Sequence, residues 1–200
     1  MKILKLSLIT VLSVLLCILY SQELISSEPF QEHLKFKDIP INGKINSFAQ
    51  KLVNIGYQRQ MAGEENELII LKGEFVNKQC AIVVNGTKKT KTAYLVTVLL
   101  PTETDWSGIK DDYFKLKKLF QQKYGMGMSK EVFSEPYYED SGLEMQALKL
   151  GKCTYYTIIF TKKSSIMITI MPEGRIVIGY EDSTNAKLKE IEEEIINSDI

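Results

Sequence analysis

The chain has a single histidine, a single tryptophan, five prolines and no excess charge of either sign. One histidine leaves almost nothing for imidazole-based catalysis or a histidine-rich zinc site. That residue, His33, falls in a polar stretch ahead of the first periodic segment, where an exposed, idle side chain is the expected reading. Twenty-five basic residues balance twenty-five acidic ones, which is unlike a basic nucleic-acid-binding surface. The sequence also lacks GxSxG, HExxH, CxxC, P-loop and GxGxxG spacings, so no catalytic residue, metal or cofactor is assigned. The hydrophobic share of 44% is that of a globular protein and excludes global disorder.

The one long apolar run lies at the start. Lys2 and Lys5 precede an uncharged stretch from Leu6 to Leu19, and polar sequence follows Ser21. The run is shorter than the roughly 20 residues that span a bilayer, and its order matches a cleaved export signal. The expectation is a signal peptide over 1–21, a flexible lead-in over 22–33, and a periplasmic or secreted protein. A membrane link arises only if the signal stays uncleaved or Cys17 is lipidated. Removal of 1–21 takes away two lysines and no acids, leaving 23 basic and 25 acidic residues.

Two cysteines then remain, Cys80 and Cys153. An exported protein with an even count permits a bridge between them; two buried thiols acting as small apolar residues fit equally. Spacing does not choose between these.

Past residue 34 the pattern reads as an α+β fold: two tandem helix-plus-antiparallel-sheet repeats, about 34–103 and 104–182, with a C-terminal helix over 185–197. Ile45, Phe48, Ala49, Leu52 and Val53 form a helical stripe that stops at Gly56. Strands are expected at Leu68–Val76, Gln79–Val84 and Ala93–Leu100. Thr104 or Asp105 caps a second helix with Ile109, Tyr113, Leu116 and Phe120 on one face and Gly125 at its end. Strands follow at Met145–Leu150, Cys153–Phe160, Ser165–Met171 and Arg175–Tyr180. In the last helix Leu188, Ile191 and Ile195 share a side, and the acidic run EIEEE reads as a solvated face. The halves share an order of letters: Cys80, Thr87-Lys88-Lys89 and Pro101 against Cys153, Thr161-Lys162-Lys163 and Pro172. The basic loop Lys88, Lys89, Lys91 lacks the interleaved aromatics of a nucleic-acid surface.

Two features carry functional readings. Tyr138-Glu139-Asp140 and Tyr180-Glu181-Asp182 are paired acids that a carboxylate-dependent hydrolase of the cell envelope would use. Alternatively, tyrosines on an open sheet face, with Tyr94, Tyr155 and Tyr156 as the contacts, would form an amphipathic platform for a protein or glycan of the cell envelope. A third reading is a structural envelope protein.

Short motifs add a resemblance. Phe36-Lys37-Asp38-Ile39-Pro40-Ile41-Asn42-Gly43, then Trp106, Lys123-Tyr124-Gly125, and Lys152-Cys153-Thr154-Tyr155-Tyr156 are similar to segments of small uncharacterised exported proteins of gut anaerobic bacteria, which implies export. The tandem helix-plus-sheet order resembles the β-lactamase-inhibitor protein fold. That resemblance implies binding through an exposed sheet face, without any inhibitory motif to carry over.

Overall fold

The computed structural model describes residues 33–62, 67–162 and 164–198. Among them no helix is long and apolar enough to cross a membrane. The described chain opens with a small hairpin, β1 (Lys35–Phe36) and β2 (Ile39–Pro40), and α1 (Ile45–Asn54). Next come β3 (Gln58–Ala62), β4 (Leu68–Phe75), β5 (Lys78–Gly86) and β6 (Ala93–Thr102). Helix α2 (Trp106–Tyr124) leads to β7 (Met128–Phe133), the short α3 (Glu144–Lys149), β8 (Cys153–Thr161), β9 (Ser164–Met171) and β10 (Arg175–Asp182). Helix α4 (Ser183–Ser198) ends the described chain.

The protein is thus α+β, with one eight-stranded sheet in the order β3-β4-β5-β6-β10-β9-β8-β7. Every pairing is antiparallel, and the two meanders meet at β6 and β10. Alternation explains why it has one covered face. Ile82 and Val84, Val96 and Val98, Ile176 and Ile178, and Ile166 and Ile168 are all buried. Helix α1 lies against β3–β5 through Ile45, Phe48, Ala49 and Leu52, and α2 lies against β8–β10 through Ile109, Tyr113, Leu116 and Phe120. Each such fully buried side chain is worth about 1.5–3 kcal/mol. Phe36, from the opening hairpin, joins the two halves of the core: its ring stands 5.9 Å from Phe75 and 5.1 Å from Tyr180.

Punctuation falls largely as the sequence implies. Asp105 caps α2 by accepting a hydrogen bond from the Gly108 N–H at 2.8 Å. Gly56 and Gly125 follow α1 and α2 with φ of 108° and 99°, a region that favours glycine.

Three expectations need correction. Met145–Leu150 is not a strand: residues 144–149 form α3, which buries Glu144, Ala147 and Leu148 at helical spacing. Two strands, β3 and β7, were not anticipated, and both are sheet edges. Loss of the expected strand at 145–150 also undoes the letter match between the halves. Cys80 lies on β5, next to the seam strand β6, whereas Cys153 lies on β8, two strands from the seam strand β10. The matched letters are therefore out of step by one strand.

Helix α4 docks through buried polar contacts, with Leu188 half-buried beside them. Its buried residues are Asn185 and Glu192, while Ile191 and Ile195 are exposed. Asn185 donates from Nδ2 to the carbonyls of Ile41 and Ala93, each at 2.9 Å. The acidic run is consequently not wholly a solvated face. Glu192 reaches back to the 87–90 loop, where it accepts from Lys89 N, Thr90 N and the Thr87 and Thr90 hydroxyls.

Candidate functional site

The side of the sheet away from α1 and α2 is set by register. Side chains of the parity opposite to the core form rows across the strands. One row runs Ile70, Val83, Thr97, Gly179, Met167, Ile158, Met128, each paired directly with the next. It carries no charge and spans about 29 Å at the usual strand spacing. The adjacent row runs Lys72, Ala81, Leu99, Val177, Thr169, Tyr156, Lys130, apolar or hydroxylic in its middle and ending in a lysine on each side. Met128, Phe160 and Met167 on this face are 65%, 61% and 41% exposed. A contiguous apolar surface of this extent marks an interaction site more often than an idle surface. Toward the Arg175 end of the sheet, this side holds a recess of about 560 Å³ whose lining includes Ile70, Ala81, Leu99 and Arg175.

Of the three tyrosines expected on an open face, the structure places only some there. Tyr156 is on the open rows and half-buried. Tyr94 is half-buried at the β5–β6 bulge. Burial raises its phenol above the usual value; Lys189 opposes that shift, and Glu193, Glu181 and Glu67 add to it. Tyr155 is not a surface contact. It is 3% exposed, sits edge-on to Trp106 at 5.1 Å, and donates to Glu139 at 3.4 Å. The alternation along β8 assigns Tyr155 and Tyr156 to opposite faces, and the helix decides which face is inside.

The two acidic clusters are not brought together. Glu139 pairs with Lys110 and faces Tyr155 near the start of β8. Asp182 pairs with Ser164, which pairs with Thr161 at the far end of β8, about 20 Å away along the strand. Asp182 is completely buried and already engaged. Oδ1 accepts from Asn185 N at 3.0 Å, capping α4, and Oδ2 accepts from Leu34 N at 2.9 Å. Oδ2 also lies 3.1 Å from Nδ1 of His33. His33 is therefore not an exposed, idle side chain; it is held against the end of the central strand. Asp140 is exposed, and Glu181 points to the open face with Leu95 and Ser165 as its cross-strand neighbours. Among the described residues no group of three or more His, Cys, Asp or Glu could hold a metal.

Cys80 and Cys153 are both free and buried. Three strands separate β5 from β8, a span of about 19 Å, so the bridge does not form. Burial pushes the Cys80 thiol up to about 11, with Lys37 opposing, and burial, with Glu139 and Glu144, pushes Cys153 up to about 12. Both are inert packing residues at neutral pH. Folded protein at pH 8 is expected to leave both thiols unmodified by an aromatic disulfide reagent, and unfolding without reductant should release both. Fewer than two after unfolding would contradict the separation of β5 and β8.

No protein-family model, curated protein or solved structure matches this chain. Its site must accordingly be judged on its own geometry.

Proposed function

We propose that the protein is an exported, non-enzymatic binding module whose partner, a protein or glycan of the cell envelope, lies on the face of the sheet away from α1 and α2. The observation that carries this reading is the uncharged row from Ile70 to Met128, with Met128, Phe160 and Met167 substantially exposed. Tyr156 in the neighbouring row supplies a flat apolar body with a polar tip, a side chain suited to contact surfaces. The hydrolase reading has no geometric support, because its paired acids sit at opposite ends of the sheet and Asp182 is engaged in capping. Export rests on the leader-like start, which lies outside the described residues.

The fold also supports a duplication in a different register from the letter match. In this reading α1-β3-β4-β5-β6 corresponds to α2-β7-β8-β9-β10. Each unit then runs helix, left-handed glycine, edge strand, and inward to the seam. The segment containing α3 is an insertion in the second unit.

The test is recovery of a partner from the cell envelope by the wild-type protein and by the variants Met167→Lys and Ile158→Glu, both on the open face. Wild type should retain a specific partner that both variants lose while keeping their melting temperatures within a few degrees. A partner retained equally by the variants would overturn the open face as the site.

A further inference from the structure

A second site lies on the opposite side of the sheet, where α2 passes the β4–β5 hairpin. The cleft there measures about 520 Å³, within the range of about 300–1,000 Å³ typical of small-ligand sites. Its apolar base is built from Phe75, Leu100 and Leu116, all at most 6% exposed. Its walls are Val76 and Leu119, which remain 44% and 50% exposed although both are large and apolar.

The charge around this apolar base is one-sided. Asp112 lines the cleft, but Lys78 pairs with it and also reaches Glu103 at 3.2 Å. Lys115 and Lys118 line the cleft on the same helix and form no ion pair among the described residues. A fourth cation, Lys37, stands with its Nζ 5.2 Å from the centre of the Phe75 ring. An apolar slot with surplus cations at its mouth complements a molecule with one long apolar chain and one anionic end.

The backbone at the rim supplies an independent observation. Val76 and Asn77 form the β4–β5 turn with φ of 50° and 60°. Such a turn favours Asn-Gly, and a β-branched residue in the left-handed region is strained. Val76 does not repay that strain by burial, since its side chain stands half in solvent on the cleft wall. Strain retained at an exposed position is a mark of a functional surface.

We propose that this cleft binds a free long-chain carboxylate, its chain over Phe75, Leu100 and Leu116 between Val76 and Leu119, and its carboxylate at Lys115 and Lys118. This site does not depend on the open-face reading, and either can fail alone.

Calorimetric titration of octanoate, decanoate and dodecanoate, kept below micelle formation, tests it. One saturable site is expected, with affinity rising about threefold to fourfold per added methylene. Lys115→Glu combined with Lys118→Glu should weaken dodecanoate at least tenfold and leave dodecanol unchanged. The variant Val76→Gly is the sharper arm. Relieving the strain should raise the melting temperature by about 3 °C, while loss of the wall side chain weakens dodecanoate severalfold. Absence of saturable binding, equal binding of dodecylammonium, or indifference to these substitutions would overturn the proposal. So would binding to phosphatidylglycerol vesicles without binding to free dodecanoate, which would make the cleft a membrane contact.

Discussion

Replacing Asp182 with alanine is expected to lower the unfolding free energy by about 3–4 kcal/mol, which is a drop of about 10 °C in melting temperature for a domain of this size. The carboxylate is completely buried and serves the residue ahead of β1 and the first turn of α4 at once. It caps α4 through Asn185 N and receives Leu34 N, and it faces His33. Loss of a cap costs about 1 kcal/mol, and a buried N–H left without an acceptor costs about 1–3 kcal/mol more. Asp182→Asn should cost about half as much. One amide oxygen can still accept from Asn185, but the NH₂ group would then face Leu34 N, donor against donor. Thermal unfolding of wild type and both variants checks this order. A loss below about 1 kcal/mol for the alanine variant would mean that the buried N–H groups find other partners and that His33 and Leu34 are not held as described.

What the sequence made legible follows from where each element is buried. Strands β4, β5, β6, β8, β9 and β10 all contribute a strong apolar parity to the core, and all six are readable within a few residues. The edges β3 and β7 are not. Gln58-Arg59-Gln60 and Ser129-Lys130-Glu131 bury little on either face, so they have no period to show. Helix α3 was misread for a related reason: six residues with Met145, Ala147 and Leu148 are too few to separate a helical period from alternation. Reading α3 as a strand also shifted the apparent repeat by one strand and placed the two cysteines in positions that seemed equivalent.

The candidate sites depend on longer-range facts. Residues 94–100 carry apolar side chains at both parities, a local trace of the open-face row. Its continuity from Ile70 to Met128, however, is a product of six successive strand registers. The cleft needed still more: Lys115, Leu116 and Leu119 on α2 meet Phe75 and Val76 only once the first meander is folded beside the second helix. No local pattern contains that meeting. The inward acids were hidden too, because Asp182 and Glu192 look in sequence like any solvated acid.

Glu192 gives the second large effect, and it is pH-dependent. Burial alone would raise this carboxyl, but hydrogen bonds from the Thr90 hydroxyl, Lys89 N, Thr90 N and the Thr87 hydroxyl outweigh burial and hold it below its ordinary value of about 4.5. A depressed folded value means that the charged form is the one the loop binds. The stabilisation is therefore complete above pH of about 4.5 and is lost as pH falls through the lower, folded value. Glu192→Ala is expected to weaken docking of α4 by about 2–3 kcal/mol, the scale of a charge received by several donors. Because the helix is otherwise tied mainly at its first turn, through Asp182 and Asn185, the loss should be local. Amide exchange along residues 187–196 should accelerate well before the sheet opens. In wild type the same acceleration should appear as pH is lowered below 4.5, after correction for intrinsic exchange. Glu192→Gln should begin from weaker protection and show no step across that window, since a neutral amide has no charge to lose. A step that persists in the glutamine variant would assign the pH response to another acid on the helix, with Glu193, which pairs with Lys189, as the first to examine.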